Sequence, residues 1–247
     1  MTLDFVLKFL LLCLLEMAFY RYLSGFFNPM ESLAGVFLLM ALVGFSFSYV
    51  AGPSIMETGD VLNAVVFVLA FSALHQNKFA LLCAILFVGT LNRESTWILM
   101  IPISIAEYMN RRRAERIIIT LLSIALPYFA VRMLHGSSSN WFMMAGLARN
   151  IPFISKDFLW NAIIANVHFV VLVGPLLLLS LYRFKERPRF LQVASSIVPL
   201  FILVHYAVAW IIEARIWIPL FLVLIPLSLE SLKQITGFDF TEAKHST

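Results

Sequence analysis

Polar residues along this chain occur in short breaks between long apolar runs, and the runs set the elements. Apolar stretches cover 3–20, 33–51, 60–75, 78–91, 95–109, 117–134, 159–181, 191–211 and 216–231. A membrane-crossing helix needs about 20 apolar residues, fewer where the bilayer thins or the chain enters from one side only. The pattern therefore predicts an all-α, polytopic transmembrane helix bundle of about eight or nine segments. Two of these, 78–91 and 95–109, are short. About 14 helical residues rise only about 21 Å, against a hydrocarbon core near 30 Å. The bundle is expected to span 1–231, with 232–247 as a cytoplasmic tail.

Composition agrees with the pattern. The chain of 247 residues is 61% hydrophobic and 13% charged, with a mean hydropathy of +0.91. Soluble domains carry about 25% charged residues. Cys13 and Cys83 lie in apolar runs and have neither disulfide nor metal spacing. The net charge of +4 is not a nucleic-acid signal, because the basic residues fall between apolar runs, where they orient the spans. The first run has Asp4 before it and Lys8 within it, so it reads as a span rather than a cleaved leader.

Two basic clusters decide the expected orientation. Arg111, Arg112, Arg113 and Arg116 form one; Arg183, Lys185, Arg187 and Arg189 form the other. Two runs separate them, so both can face the cytoplasm. Twelve of the 18 Lys and Arg then lie inside. Lys8, Arg93, Arg132, Arg149, Lys156 and Arg215 lie outside, and the N-terminus starts outside. The segment 136–157, with Trp141, Phe142, Met143, Met144 and Phe153, is expected to rest on the outer interface as a short amphipathic helix.

Asn92-Arg93-Glu94 interrupts this apolar background. A charge at a bilayer centre costs roughly 2.5–3.5 kcal/mol on insertion scales, which marks the cluster as a candidate site. With short segments on either side, the three residues are expected to form a turn recessed below the outer surface, where protein or a watery cavity surrounds it. The competing arrangement is one tilted helix over 78–109 with the charges at mid-span. Arginine offers a planar fork of donors suited to phosphate oxygens, whereas an Arg–Glu pair can equally pin two helix ends. Glu213-Ala214-Arg215 repeats the acid–base combination between apolar runs. Glu57 and Asp60 lie just before the third run, where Asp60 is expected to cap a helix and is the nearest candidate for a catalytic carboxylate. His168 and His205 fall within runs and are expected to serve as helix hydrogen-bond partners. No metal spacing and no nucleotide or serine-hydrolase motif occurs, and no cofactor is expected.

TGDVLNAVVFVLA, LNREST and EARIWIPL, in this order over roughly residues 50–225, resemble the GT-C class of polytopic membrane glycosyltransferases. In that class an Asp precedes a long span, an Asn-Arg-Glu-Thr-like turn follows, and a late Glu-x-Arg leads into a span with proline. The resemblance implies a transferase of the cell envelope and of polysaccharide biosynthesis, placed in the inner membrane in a bacterium. It would move a sugar from a polyprenyl-phosphate donor at the outer or lumenal face. Arg93 and Arg215 would hold the lipid phosphate, and Glu94 and Glu213 would orient the arginines or the acceptor, with Glu57 nearby. The class carries its catalytic carboxylate in a first external loop after a span that starts in the cytoplasm. This sequence lacks that first span and loop before Phe5. The expectation is therefore that the true start lies upstream, that a membrane-protein partner supplies the missing part, or that the chain is no longer catalytic, and that it is inactive alone. The alternative is a transporter or accessory membrane subunit of an envelope-polysaccharide system. Neither reading involves nucleic acid.

Overall fold

The computed structural model describes residues 2–48, 58–109, 114–135, 147, 149–152, 159–209, 211 and 214–237. Among them are helices and turns and no strand. The helices are α1 (Thr2–Leu23), α2 (Pro29–Ser48), α3 (Thr58–His75), α4 (Phe79–Asn92), α5 (Met100–Met109), α6 (Ala114–His135), α7 (Leu159–Leu181), α8 (Arg189–Ala194), α9 (Ile197–Val208) and α10 (Ile218–Thr236). Short 3₁₀ turns at Glu94–Leu99, Phe184–Glu186 and Ala214–Trp217 join some of them. Each apolar run in the sequence is thus helical over most of its described length. Among the described residues, five helical stretches are long and apolar enough to cross a membrane: Thr58–His75, Ala114–Leu134, Leu159–Leu181, Arg189–Val208 (α8 and α9 together) and Ile218–Thr236. The described residues form an all-α helical bundle, and the protein is a membrane protein.

Local chemistry explains several helix boundaries. Asn28 and Glu31 form a reciprocal cap ahead of Pro29: the Glu31 N–H donates to Asn28 Oδ1 at 2.9 Å, and the Asn28 N–H donates to Glu31 Oε2 at 3.1 Å. Asn77, in the left-handed region at φ 60°, makes the tight turn that sets α4 back against α3. Between α8 and α9, the pyrrolidine of Pro199 cannot donate to the carbonyl of Ser195 and crowds it, so the run breaks at Ser195-Ser196. The hydroxyls of both serines donate back to Gln192 and Val193 carbonyls. The last helix continues to Thr236, five residues past the expected boundary at 231.

Helices α3 and α10 form the centre. α3 packs on α1, α4 and α10, and α10 packs on α2, α3 and α7. Both are apolar on nearly every face, and a helix of that kind belongs inside a bundle. The outer helices leave large apolar side chains uncovered, among them Phe9, Phe37, Leu126, Phe129, Trp160 and Val171. Their exposure is what a lipid-facing surface requires.

Polar side chains collect at the two ends of the bundle. One end holds Asp4, Thr58, Asp60, Arg93, Glu94 and Arg132, joined by hydrogen bonds and ion pairs. The other holds Glu31 with Lys233 (3.2 Å) and Glu107 with Arg116 (3.8 Å). It also holds Arg187, which is buried and donates to the Tyr182 carbonyl and the Ser231 hydroxyl. The burial of Arg187 pushes its pKa down, and the nearby Glu230 and Glu186 pull it back up. Arg116 and Arg187 therefore share one end, as the charge pattern requires; Arg111, Arg112 and Arg113 lie outside the described residues.

Candidate functional site

The chain turns at Arg93. α4 carries it from Phe79, under the Arg116 guanidinium at 4.8 Å, to Asn92 at the opposite end. Arg93 itself is extended (φ −147°, ψ 138°), and its N–H still closes the last helical bond to Gly89 at 2.8 Å. The 3₁₀ turn Glu94–Leu99 and α5 then return to Glu107 beside Arg116. A single helix over 78–109 is excluded by this hairpin, and the turn between two short segments is observed.

Glycine permits the hairpin to close. A Cβ at Gly89 would lie 2.4 Å from Val66 Cγ1, 3.1 Å from Thr96 Cγ2 and 3.2 Å from Thr96 Oγ1. Val66 is buried and β-branched, so its methyl has little room to rotate away. Gly89→Ala is expected to cost about 1–3 kcal/mol by overpacking. Gly35→Ala should cost less, because the atoms it meets are the ends of Leu23 and Leu229 side chains. Thermal melts of both variants in one detergent check the order.

Two ion pairs assemble around the turn. Arg93 Nη2 lies 2.6 Å from Asp60 Oδ1. Asp60 is 5% exposed, whereas the Arg93 side chain is 32% exposed. Arg132, from the far end of α6, pairs with Glu94 and lies over the Tyr128 ring at 5.6 Å. The Asn92 amide donates to the Gly59 carbonyl at 2.9 Å, tying the turn to the start of α3.

These partners differ from the sequence expectation in three places. Helix α3 begins at Thr58, so Asp60 is the third residue of its first turn rather than the cap; there its charge still favours the helix dipole. Its carboxylate is spent on Arg93, which makes it a poor base. Glu94 faces Arg132 instead of its neighbour Arg93, because the extended backbone at Arg93 sends the two side chains apart. Glu57 and Glu213 lie outside the described residues, and for Arg215 only the backbone is described. Most of the segment 136–157 also lies outside them.

A second polar network approaches the turn from the C-terminal half. The 3₁₀ turn Glu94–Leu99 packs against α9. Beyond α9, Asn150 holds the chain: its amide donates to the carbonyls of Tyr206 (2.9 Å) and Ala209 (2.6 Å), and its Oδ1 accepts from the Ile211 N–H (3.1 Å). The Tyr206 hydroxyl donates to Asn166 Oδ1 at 3.0 Å, and the Asn166 amide donates to the Asn150 carbonyl at 2.8 Å. His205 stacks on Phe201, with ring centroids 4.0 Å apart, and its Nδ1 lies 2.8 Å from the Phe201 carbonyl. It thus bonds within its own helix rather than to a neighbour. Asn150, Asn166 and Arg132 were missed as site residues. Their polarity inside or beside apolar runs is a signal, but it does not name their partners.

No group of three His, Cys, Asp or Glu side chains that could hold a metal occurs among the described residues. Both cysteines are free. Comparison with protein-family models, with curated proteins and with solved structures finds no match to this chain.

Proposed function

We propose that this chain is a multi-pass membrane protein that handles a polyprenyl-phosphate-linked sugar at the outer membrane face, in the manner of a GT-C glycosyltransferase. The observation that carries the reading is the Arg93 fork, fixed by Asp60 at 2.6 Å yet about one-third exposed at a turn between short helices. A guanidinium carries five donors in a planar fork suited to phosphate oxygens, and a bidentate contact of that kind is strong in a low-dielectric setting. Arg132 adds a second cation at the same end, and Arg215 is the third candidate. With the basic end at the cytoplasm, this arginine end faces outward.

Cationic stabilisation of a departing lipid phosphate is the chemistry this arrangement suits. The acid or base for an acceptor hydroxyl is not supplied by Asp60, and a partner protein or another segment would provide it. The same ion pairs favour a second reading, an accessory membrane subunit, because Arg93 and Arg132 each already have a carboxylate within the chain.

Native mass spectrometry of the purified protein, read for co-purified lipid phosphate, separates the two. Arg93→Ala is expected to lower retention at least tenfold, and Arg93→Lys nearly as much, since lysine keeps the charge and loses the fork. Unchanged retention in a folded Arg93→Ala, Arg215→Ala double variant would remove the phosphate-binding reading and leave the accessory one.

A further inference from the structure

Two features that loosen a helix fall on one turn of α6. Pro127 lies inside the helix; its ring has no N–H to offer the Ser123 carbonyl and crowds it. Ser123 in turn donates its hydroxyl to the Ile119 carbonyl at 2.9 Å, a back-bond that slightly destabilises and often bends a helix. α6 still runs unbroken from Ala114 to His135. The turn 123–127 is therefore the place where it bends most easily.

Burial changes at the same place. Thr120, Ile124 and Pro127 are buried, whereas no side chain from Tyr128 to Leu134 is. Met133 and Leu134 are 85% and 80% exposed. Among the described residues, this outer half makes one polar contact with another element, the Arg132–Glu94 ion pair. The other neighbour of the Arg132 guanidinium, the Tyr128 ring, belongs to α6 and moves with it. A segment with few buried contacts opens locally at low cost. The Glu94 side chain is 44% exposed, so the pair is screened and biases the closed arrangement by about fivefold at most.

We propose that residues 128–135 of α6 form a lid beside the Arg93 turn, hinged at Ser123–Pro127 and latched by Arg132 on Glu94. The structure shows the latched arrangement. In the unlatched one, the outer half of α6 leaves the 3₁₀ turn Glu94–Leu99, and Arg132 and Glu94 are each solvated separately. Hinge and latch are two discrete parts of one device, since the first is backbone chemistry and the second is charge. Because Arg132 is the second cation of this end, the latch also sets when that cation is available to an anion. That use rests on the phosphate reading of Arg93, whereas the lid itself does not.

The test is pulsed dipolar spectroscopy on the full chain in nanodiscs, with Cys13 and Cys83 replaced by alanine. Spin labels at Phe5 of α1 and Met133 of α6 report the outer half, and labels at Met17 and Ile118 report the inner half; all four positions are exposed. Glu94→Lys sets two cations against each other at an exposed site. It is expected to raise the share of displaced outer distances at least fivefold and to leave the inner pair unchanged. Pro127→Ala restores the missing N–H, and in the Glu94→Lys background it should bring that share at least halfway back. An outer distribution unchanged by Glu94→Lys overturns the latch. Equal broadening of the outer and inner pairs overturns the hinge, and so does a displaced share untouched by Pro127→Ala. Lipid phosphate read on the same samples separates the two readings: the expected lid movement in a chain that retains none supports the lid and removes the phosphate role of Arg93.

Discussion

Trp217→Ala is expected to lower the melting temperature by about 6–12 °C. Trp217 is 1% exposed and ends the 3₁₀ turn Ala214–Trp217. Its indole is ringed by Phe169 at 4.7 Å, His205 at 5.9 Å, Tyr206 at 6.2 Å and Phe201 at 6.4 Å. Its Nε1–H points to the Ile211 carbonyl at 3.4 Å. Trp→Ala in a water-soluble core costs about 3–5 kcal/mol. Within a bilayer the transfer part shrinks, because lipid is itself apolar, while lost packing and the cavity remain. About 3 kcal/mol is therefore the appropriate figure, and each kcal/mol shifts a chain of this size by about 2–4 °C. Trp217→Phe keeps most of the ring contacts and should lose much less. Melts in detergent decide it, and an alanine variant within about 2 °C of the parent would show that the aromatic cluster does not hold this region.

Asp60→Asn is expected to be the next most damaging change at the Arg93 end, at about 3 kcal/mol. The amide is nearly isosteric, so packing survives and the charge alone is lost. Removing one member of a buried pair typically costs about 3–5 kcal/mol, because the other charge is stranded. Arg93 keeps some solvent access, which places the effect at the low end. An Asp60→Asn, Arg93→Met double variant should lose less than the sum of the two single variants, since each single change already breaks the shared ion pair. A double-mutant cycle of thermal melts measures the coupling. Additive losses from the two sites would mean that the pair contributes nothing.

The sequence displays the helices plainly and the pairings hardly at all. Apolar runs are read locally, so each described helix falls on one. The break at Arg93 is also local, because three polar residues side by side cannot continue a lipid-facing helix at no cost. Partner choice is different. Glu94 sits next to Arg93 yet binds Arg132, 38 positions away, and that depends on how α4 and α6 pack. Asp60 looked like a cap because it directly precedes an apolar run, but Thr58 and Gly59 join the helix and turn its carboxylate toward Arg93. Glu107 carries no signal in the sequence that sets it apart, and only the packing of the helices around it buries it. Asn150 lies in the segment expected to rest on the interface as a short amphipathic helix, and its hold on residues 206–211 is a tertiary contact.

The central place of α10 has a consequence for how the protein is made. α3 presents part of its apolar surface to a helix that follows it by about 160 residues. At a synthesis rate of about 5–20 residues per second, roughly 10–30 s pass between the emergence of the two. During that interval the face of α3 reserved for α10 must be covered by lipid or by the insertion machinery. α10 brings Ser228 and Ser231, whose hydroxyls close on carbonyls of Leu176 and Leu179 in α7, so its arrival also seals polar contacts that lipid cannot replace. Slowing translation late in the message should therefore lengthen the life of an open, protease-sensitive intermediate, while the same pause placed before residue 58 should not.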